Sequence, residues 1–277
     1  MENILSKISK IYTKKTENRH PFHLVDPSPW PLFGSISALS LTFGAVMYMH
    51  GYQGGGNLFV CGFLCILYTM YLWWRDIIRE GTFEGQHTEE VQNGLKLGFQ
   101  LFIVSEVMFF FAFFWGFFDA SIKPSYAIGG IWPPEGIDPL NPWGIPLLNT
   151  VILLSSGVTV TWAHNSMLWG SKSSTQYALA ITIFLAFIFT CLQIYEYIYC
   201  PFSISSSVFG SFFFLATGFH GLHVCIGTIF LFINYLRISK NHFTKEHHIG
   251  FETAIWYWHF VDIVWLFLFV AIYWWGS

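Results

Sequence analysis

"LFIVSEVMFFFAFFWGFF" (Leu101–Phe118) holds eight phenylalanines and a single carboxylate, Glu106. A run this apolar and this long reads as a helix that crosses a membrane. An ionisable group near the middle of such a helix persists only with a partner, a cavity or a function. Working outward from Glu106, the rest of the chain must supply one of these.

The chain has 277 residues, 54% of them hydrophobic and only 10% charged, a balance that excludes an ordinary soluble domain and needs more than one anchor. Apolar runs long enough to span number seven: Leu32–Met49, Leu58–Trp74, Leu97–Phe118, Leu147–Leu168, Tyr177–Ile198, Phe209–Leu236 and Ala254–Trp275. The fold class is therefore all-α and polytopic, with a basic tail over residues 1–30 and a membrane domain over 31–277. Charge placement tests the count. With the N-terminus inside, Lys7, Lys10, Lys14, Lys15, Arg19, Arg75, Arg79, Lys96, Lys172, Arg237, Lys240 and Lys245 all fall on the inner side. Lys123 alone falls outside. Trp30, Trp73, Trp74, Trp169, Trp256, Trp258, Trp274 and Trp275 stand near span ends, where an indole keeps its ring in lipid and its N–H in water. The connection 119–146 is rich in proline and glycine and reads as an ordered outer loop.

The first twenty residues lack the apolar core of a signal peptide. Cys61, Cys65, Cys191, Cys200 and Cys225 form an odd set within or beside apolar runs and read as core residues, not as disulfides or metal ligands. No basic patch suggests nucleic acid, and the net charge of −3 says little for a membrane chain.

Several polar side chains fall inside the spans. His220 and His223 share a helix face, and His164 and His259 lie on other spans, so bis-histidine haem ligation is conceivable. A di-metal carboxylate bundle needs two Glu-x-x-His pairs on different helices; the chain has one, Glu84–His87, in a connection. No metal site is expected. Glu252, His259 and Asp262 fall along one stripe of the last span, as a proton relay or as a helix contact. The stripe Thr217, Gly221, Cys225, Thr228 would admit a close helix neighbour. Glu106 is expected to be protonated and bonded to Ser105 or to a backbone carbonyl. Arg75, Asp76, Arg79, Glu80, Glu84 and His87 alternate charge at the membrane surface, either holding lipid phosphate or pairing among themselves.

The strings "HLVDPSPWP", "WWRDIIREGTFEGQHT", "SEVMFFFAFFW", "WPPEGIDPLNPWGIPLLNT", "ATGFHGLHV" and "HHIGFETAIWYWHFVDIVWLFLFVAIYWWGS" resemble cytochrome c oxidase subunit III in its mitochondrial form, from about His20 to the C-terminus. The resemblance implies a seven-helix subunit in two bundles, helices 1–2 and helices 3–7, forming a V-shaped cleft filled with phospholipid. It implies no catalytic centre, haem or copper on this chain. Haem a and copper belong to subunits I and II, which this subunit would support in assembly, proton uptake and oxygen access, alongside small accessory subunits. It further implies that Glu106 is the family's carbodiimide-reactive carboxylate. Arg79, Glu80 and His87 would lie near one phospholipid and Arg237 and His242 near another. The expected location is the mitochondrial inner membrane, N-terminus in the matrix and C-terminus in the intermembrane space. Gln86 and Asn165 stand where family members often carry a second histidine. A quinol-oxidising relative and a proton-coupled transporter are the alternatives; the transporter would show repeated halves or broken spans, and neither is evident.

Overall fold

A computed structural model of the chain describes residues 20–126 and 129–276. Most of the basic tail, with Lys7, Lys10, Lys14, Lys15 and Arg19, lies outside the described residues. In lipid the backbone must satisfy its own hydrogen bonds, and every apolar run accordingly forms a helix. The helices are α1 (Trp30–Met49), α2 (Gly55–Thr82), α3 (Glu89–Ile122), α4 (Ile145–Trp169), α5 (Lys172–Ile198), α6 (Val208–Ser239) and α7 (Ile249–Leu268), the last continuing as a π-helical turn, Phe269–Trp275. Among the described residues, seven helices are long and apolar enough to cross a membrane. They overrun the apolar stretches because polar ends extend the helices past the apolar core; α3, for example, opens on Glu89 and Glu90, whose carboxylates suit a helix N-terminus.

The described chain divides into two compact units, one ending at Leu95 and one starting at Lys96. In the first, α1 carries Pro31 in its first turn, where the missing N–H costs nothing. The chain turns back through Gly51 and Gly54, both at positive φ. Glycines then let the two backbones touch: Gly44 faces the backbone of Leu58 and Phe59, Gly55 that of Met47 and Tyr48, and Gly62 that of Ser40 and Leu41. At the far end the Trp30 indole donates to Asp76 Oδ2 at 2.7 Å and ties α1 to α2.

In the second unit α7 is the central helix, with 67% of its apolar window buried. Its indoles find partners on α4: Trp258 Nε1 donates to Ser156 Oγ and Trp265 Nε1 to Thr150 Oγ1, each at 2.9 Å. Trp258 was expected at a headgroup boundary; it is instead fully buried, because α7 begins before the apolar run and places this indole well inside the bundle. Gly227 of α6 makes room for its ring. The stripe Thr217, Gly221, Cys225, Thr228 does not serve as one packing seam. Only Thr217 is buried, Cys225 is exposed, and a Cβ at Gly221 would meet nothing within 4 Å of this chain. The described part of the loop before α4 is ordered on the bundle by Trp132, whose ring sits 5.5 Å from Phe117 and 5.6 Å from Phe209.

Candidate functional site

Glu106 has its partner on another helix. Glu106 Oε2 of α3 lies 2.9 Å from His223 Nε2 of α6. Their side chains are 23% and 10% exposed. The rings of Phe109, Phe110 and Tyr257 stand 6.2, 5.1 and 6.3 Å from the imidazole, so the pair is walled by aromatics. Ser105, an expected partner, instead donates to its own helix at Phe102 O, 2.6 Å away, as helical serines commonly do.

The other imidazole nitrogen fixes the chemistry. His223 Nδ1 is 2.6 Å from Phe219 O. A backbone carbonyl only accepts, so Nδ1 carries a hydrogen. One proton then lies between Nε2 and Oε2. Held by the carboxyl, it gives a neutral acid and a neutral imidazole; held by the ring, it gives an ion pair. Both forms have zero net charge, and this lets a carboxyl group stand in the middle of an apolar helix. The arrangement can hold one proton on either side of a single hydrogen bond with no change of total charge.

The expected stripe on α7 divides its contacts between two helices, α3 and α4. Glu252 pairs with Lys96 Nζ of α3 at 2.8 Å. His259 Nε2 lies 3.3 Å from Thr161 Oγ1 of α4, while its Nδ1 is 3.7 Å from Asp262 Oδ2, too far for a hydrogen bond. Asp262 Oδ2 faces the bare backbone of Gly157. His220 engages Val261 O at 3.2 Å, and His164 stacks edge-on against His248 at 5.8 Å. Among the described residues no three His, Cys, Asp or Glu side chains converge as metal ligands.

At the surface, Arg75 pairs with Asp76 at 2.7 Å and Arg79 with Glu84 at 2.9 Å. Glu80 lies on the same helix, its carbonyl accepting from Gln86 N at 3.1 Å, and the His87 ring folds against Gly81. In the second unit, Arg237 lies 4.1 Å over the Phe243 ring, and His242 N donates to Arg237 O at 3.0 Å. Burial lowers the proton affinity of the His242 ring, and the positive charges of Arg237 and Lys240 lower it further.

One buried carboxyl stands beyond the expected site residues. Glu196 of α5 is 4% exposed and sits among Gln193, Asn149 and Tyr273. Its signal was available, since a carboxyl near the end of a predicted span raises the same question as Glu106.

The family model for cytochrome c oxidase subunit III matches residues 20–277. The chain is 63% identical over 259 residues to cytochrome c oxidase subunit 3 of Arabidopsis thaliana and 64% identical over 259 residues to that of Marchantia polymorpha; each alignment covers 94% of this chain and 98% of the relative. It is 55% identical over 273 residues to the Chondrus crispus protein of the same name, covering 99% of this chain and 98% of the relative. With the match running through every helix and through both Glu106 and His223, the chain belongs to the cytochrome c oxidase subunit III family.

Proposed function

We propose that this chain is the third core subunit of the cytochrome c oxidase of the mitochondrial inner membrane, a multi-pass subunit that assists electron and proton transfer without carrying the redox centres. Near-full-length likeness to plant and algal relatives of that name carries the reading. Subunits I and II would hold haem a and copper, and small accessory subunits would surround them. Here the chain's own residues would shelter the catalytic subunit, support its proton uptake and oxygen access, and hold phospholipid.

The residues suit these tasks. The Glu106–His223 bond keeps one proton available at membrane depth in a net-neutral pair. Arg79, Glu80 and His87 form one polar group for a phospholipid headgroup, and Arg237 with His242 form another, a guanidinium being well shaped for phosphate. Glu252 is a helix tie to Lys96 in this reading rather than the entry to a relay through His259 and Asp262. The lysine and arginine distribution favours the N-terminus in the matrix.

The test is extraction of mitochondrial membranes in mild detergent, followed by native gel electrophoresis and visible spectroscopy. The chain is expected to migrate with haem a absorbance and cytochrome c oxidation, and to be colourless once separated. Migration apart from haem a, a coloured isolated chain, or a complex that oxidises quinol but not reduced cytochrome c would overturn the proposal.

A further inference from the structure

Near the C-terminal end of α5, four side chains from three elements share one enclosed hydrogen-bond cluster. Tyr273 Oη donates to Glu196 Oε1 at 2.6 Å, and Gln193 Nε2 donates to the same oxygen at 3.1 Å. Gln193 Nε2 also reaches Tyr273 Oη at 3.4 Å, while Gln193 Oε1 accepts from Asn149 Nδ2 at 3.4 Å. Glu196 is 4% exposed and Asn149 is fully buried at 0%. Two acceptor atoms remain. Glu196 Oε2 and Asn149 Oδ1 are buried and accept from no group of the described chain.

The two groups that donate to the carboxyl, Tyr273 Oη and Gln193 Nε2, both donate to Oε1. Both hydrogens of Gln193 Nε2 have acceptors, and Tyr273 has one hydroxyl hydrogen, already given to Oε1. The neighbouring Tyr197 spends its own on Thr217 Oγ1 at 2.7 Å. Among the described residues the titratable groups that interact with Glu196 are Tyr197, Tyr273 and Cys200, none of them a cation. The shell beyond is aromatic, with Phe213 at 5.2 Å and Trp265 at 5.7 Å from the Tyr273 ring. An ionised carboxylate here would be a buried charge with two neutral donors on one oxygen and none on the other. One added proton on Oε2 removes that charge and supplies a donor on the side of the carboxyl that receives none.

We propose that Glu196 is a proton-binding site: it is held as a carboxylic acid, with Oε1 the carbonyl oxygen for Tyr273 and Gln193 and the Oε2 hydroxyl serving Asn149 Oδ1, directly or through one water. The site is independent of the Glu106–His223 pair, which lies on other helices and manages its charge with a histidine.

The experiment is infrared difference spectroscopy of the assembled, detergent-solubilised oxidase, wild type against Glu196→Gln, at neutral pH and at about pH 9. The Glu106 and Asp262 carboxyls are common to both samples and cancel. Expected is one protonated-carboxyl carbonyl band lost in the variant, present in wild type at both pH values and shifted in D2O. Tyr273→Phe removes the shortest donor to Oε1 and is expected to move that band to higher frequency. Loss of carboxylate bands in place of the carbonyl band at neutral pH would overturn the proposal. If Glu196→Gln does not assemble, Tyr273→Phe against wild type decides: a shifted carbonyl band supports the site, and an unshifted carboxyl region defeats it.

Discussion

A carboxyl group alone at the centre of a membrane helix costs about 2.5–3.5 kcal/mol. Glu106 meets this cost by sharing a proton with His223 at 2.9 Å, so the two side chains should be coupled energetically. Glu106→Gln keeps a donor for His223 Nε2 and is expected to preserve assembly and most electron transfer. His223→Phe strips the carboxyl of its partner and is expected to destabilise the chain by about 1–3 kcal/mol, the cost of a buried polar group left unsatisfied. Glu106→Leu is expected to cost a similar amount by leaving His223 Nε2 unsatisfied, and Glu106→Leu combined with His223→Phe, which removes both polar groups, should recover most of either loss. Haem a content per membrane protein and the thermal inactivation midpoint of the four species measure the cycle; simple additivity of the two single effects would show that the contact is idle. His242 supplies a pH signature. Its ring binds protons less readily in the fold than in an open chain, so the unfolded state binds more protons as pH falls below the ordinary histidine range. Stability associated with His242 is therefore intact at neutral and higher pH and declines on acidification. His242→Gln should flatten the thermal-midpoint profile of the complex between about pH 7.5 and about pH 5.5; an unchanged slope would remove His242 from the account.

At the scale of elements, α1 and α2 are joined by absence of side chains rather than by their presence. Gly62 sits so near the backbone of Leu41 that a Cβ cannot be accommodated without parting the helices, whereas at Gly56 it would meet only the edge of the Tyr48 ring at 3.4 Å. Gly62→Val is expected to cost about 1–3 kcal/mol through overpacking, and Gly56→Ala should be close to neutral or slightly stabilising. Thermal unfolding of the solubilised complex distinguishes them; equal effects would mean that the close approach does not set the pairing. Sequence made these helices plain and their pairing obscure. Apolar length is a one-dimensional property, so Leu32–Met49 and Leu97–Phe118 could be read directly as spans. The azimuth of Gly44 and Gly62 toward a particular neighbour depends on how two rods cross, which no single run encodes. The same limit explains Trp258. Its place near the start of an apolar run suggested a boundary anchor, and the earlier start of α7 carries it into the core beside Ser156.

For the whole molecule, the chemistry lives in contacts between residues far apart in the chain, and these were legible only as unpaired halves. Glu106 and His223 each stood out as polar groups in apolar spans, but 117 residues separate them and nothing in either string names the other. Glu252 read as a member of an α7 stripe because helical spacing is visible in sequence, while its bond to Lys96 depends on which side of α7 faces α3. The proposed headgroup residues follow a different logic, since they are positioned by depth rather than by pairing, and depth is what charge placement reports. Each unit offers its own basic group: Arg79 with its Glu84 ion pair in the first, Arg237 over Phe243 in the second. If these hold separate phospholipids, Arg79→Ala and Arg237→Ala should each lower the phospholipid retained by the purified complex by about one molecule, and the double variant by about two, because independent sites act additively. Arg237→Lys should not restore retention, as an ammonium lacks the planar fork that stacks on Phe243 while meeting phosphate oxygens. Native mass spectrometry counts the lipids directly. Retention unchanged in both single variants would return Arg79 to a surface ion pair and Arg237 to a cap on Phe243, leaving lipid to be held by the apolar helix faces alone.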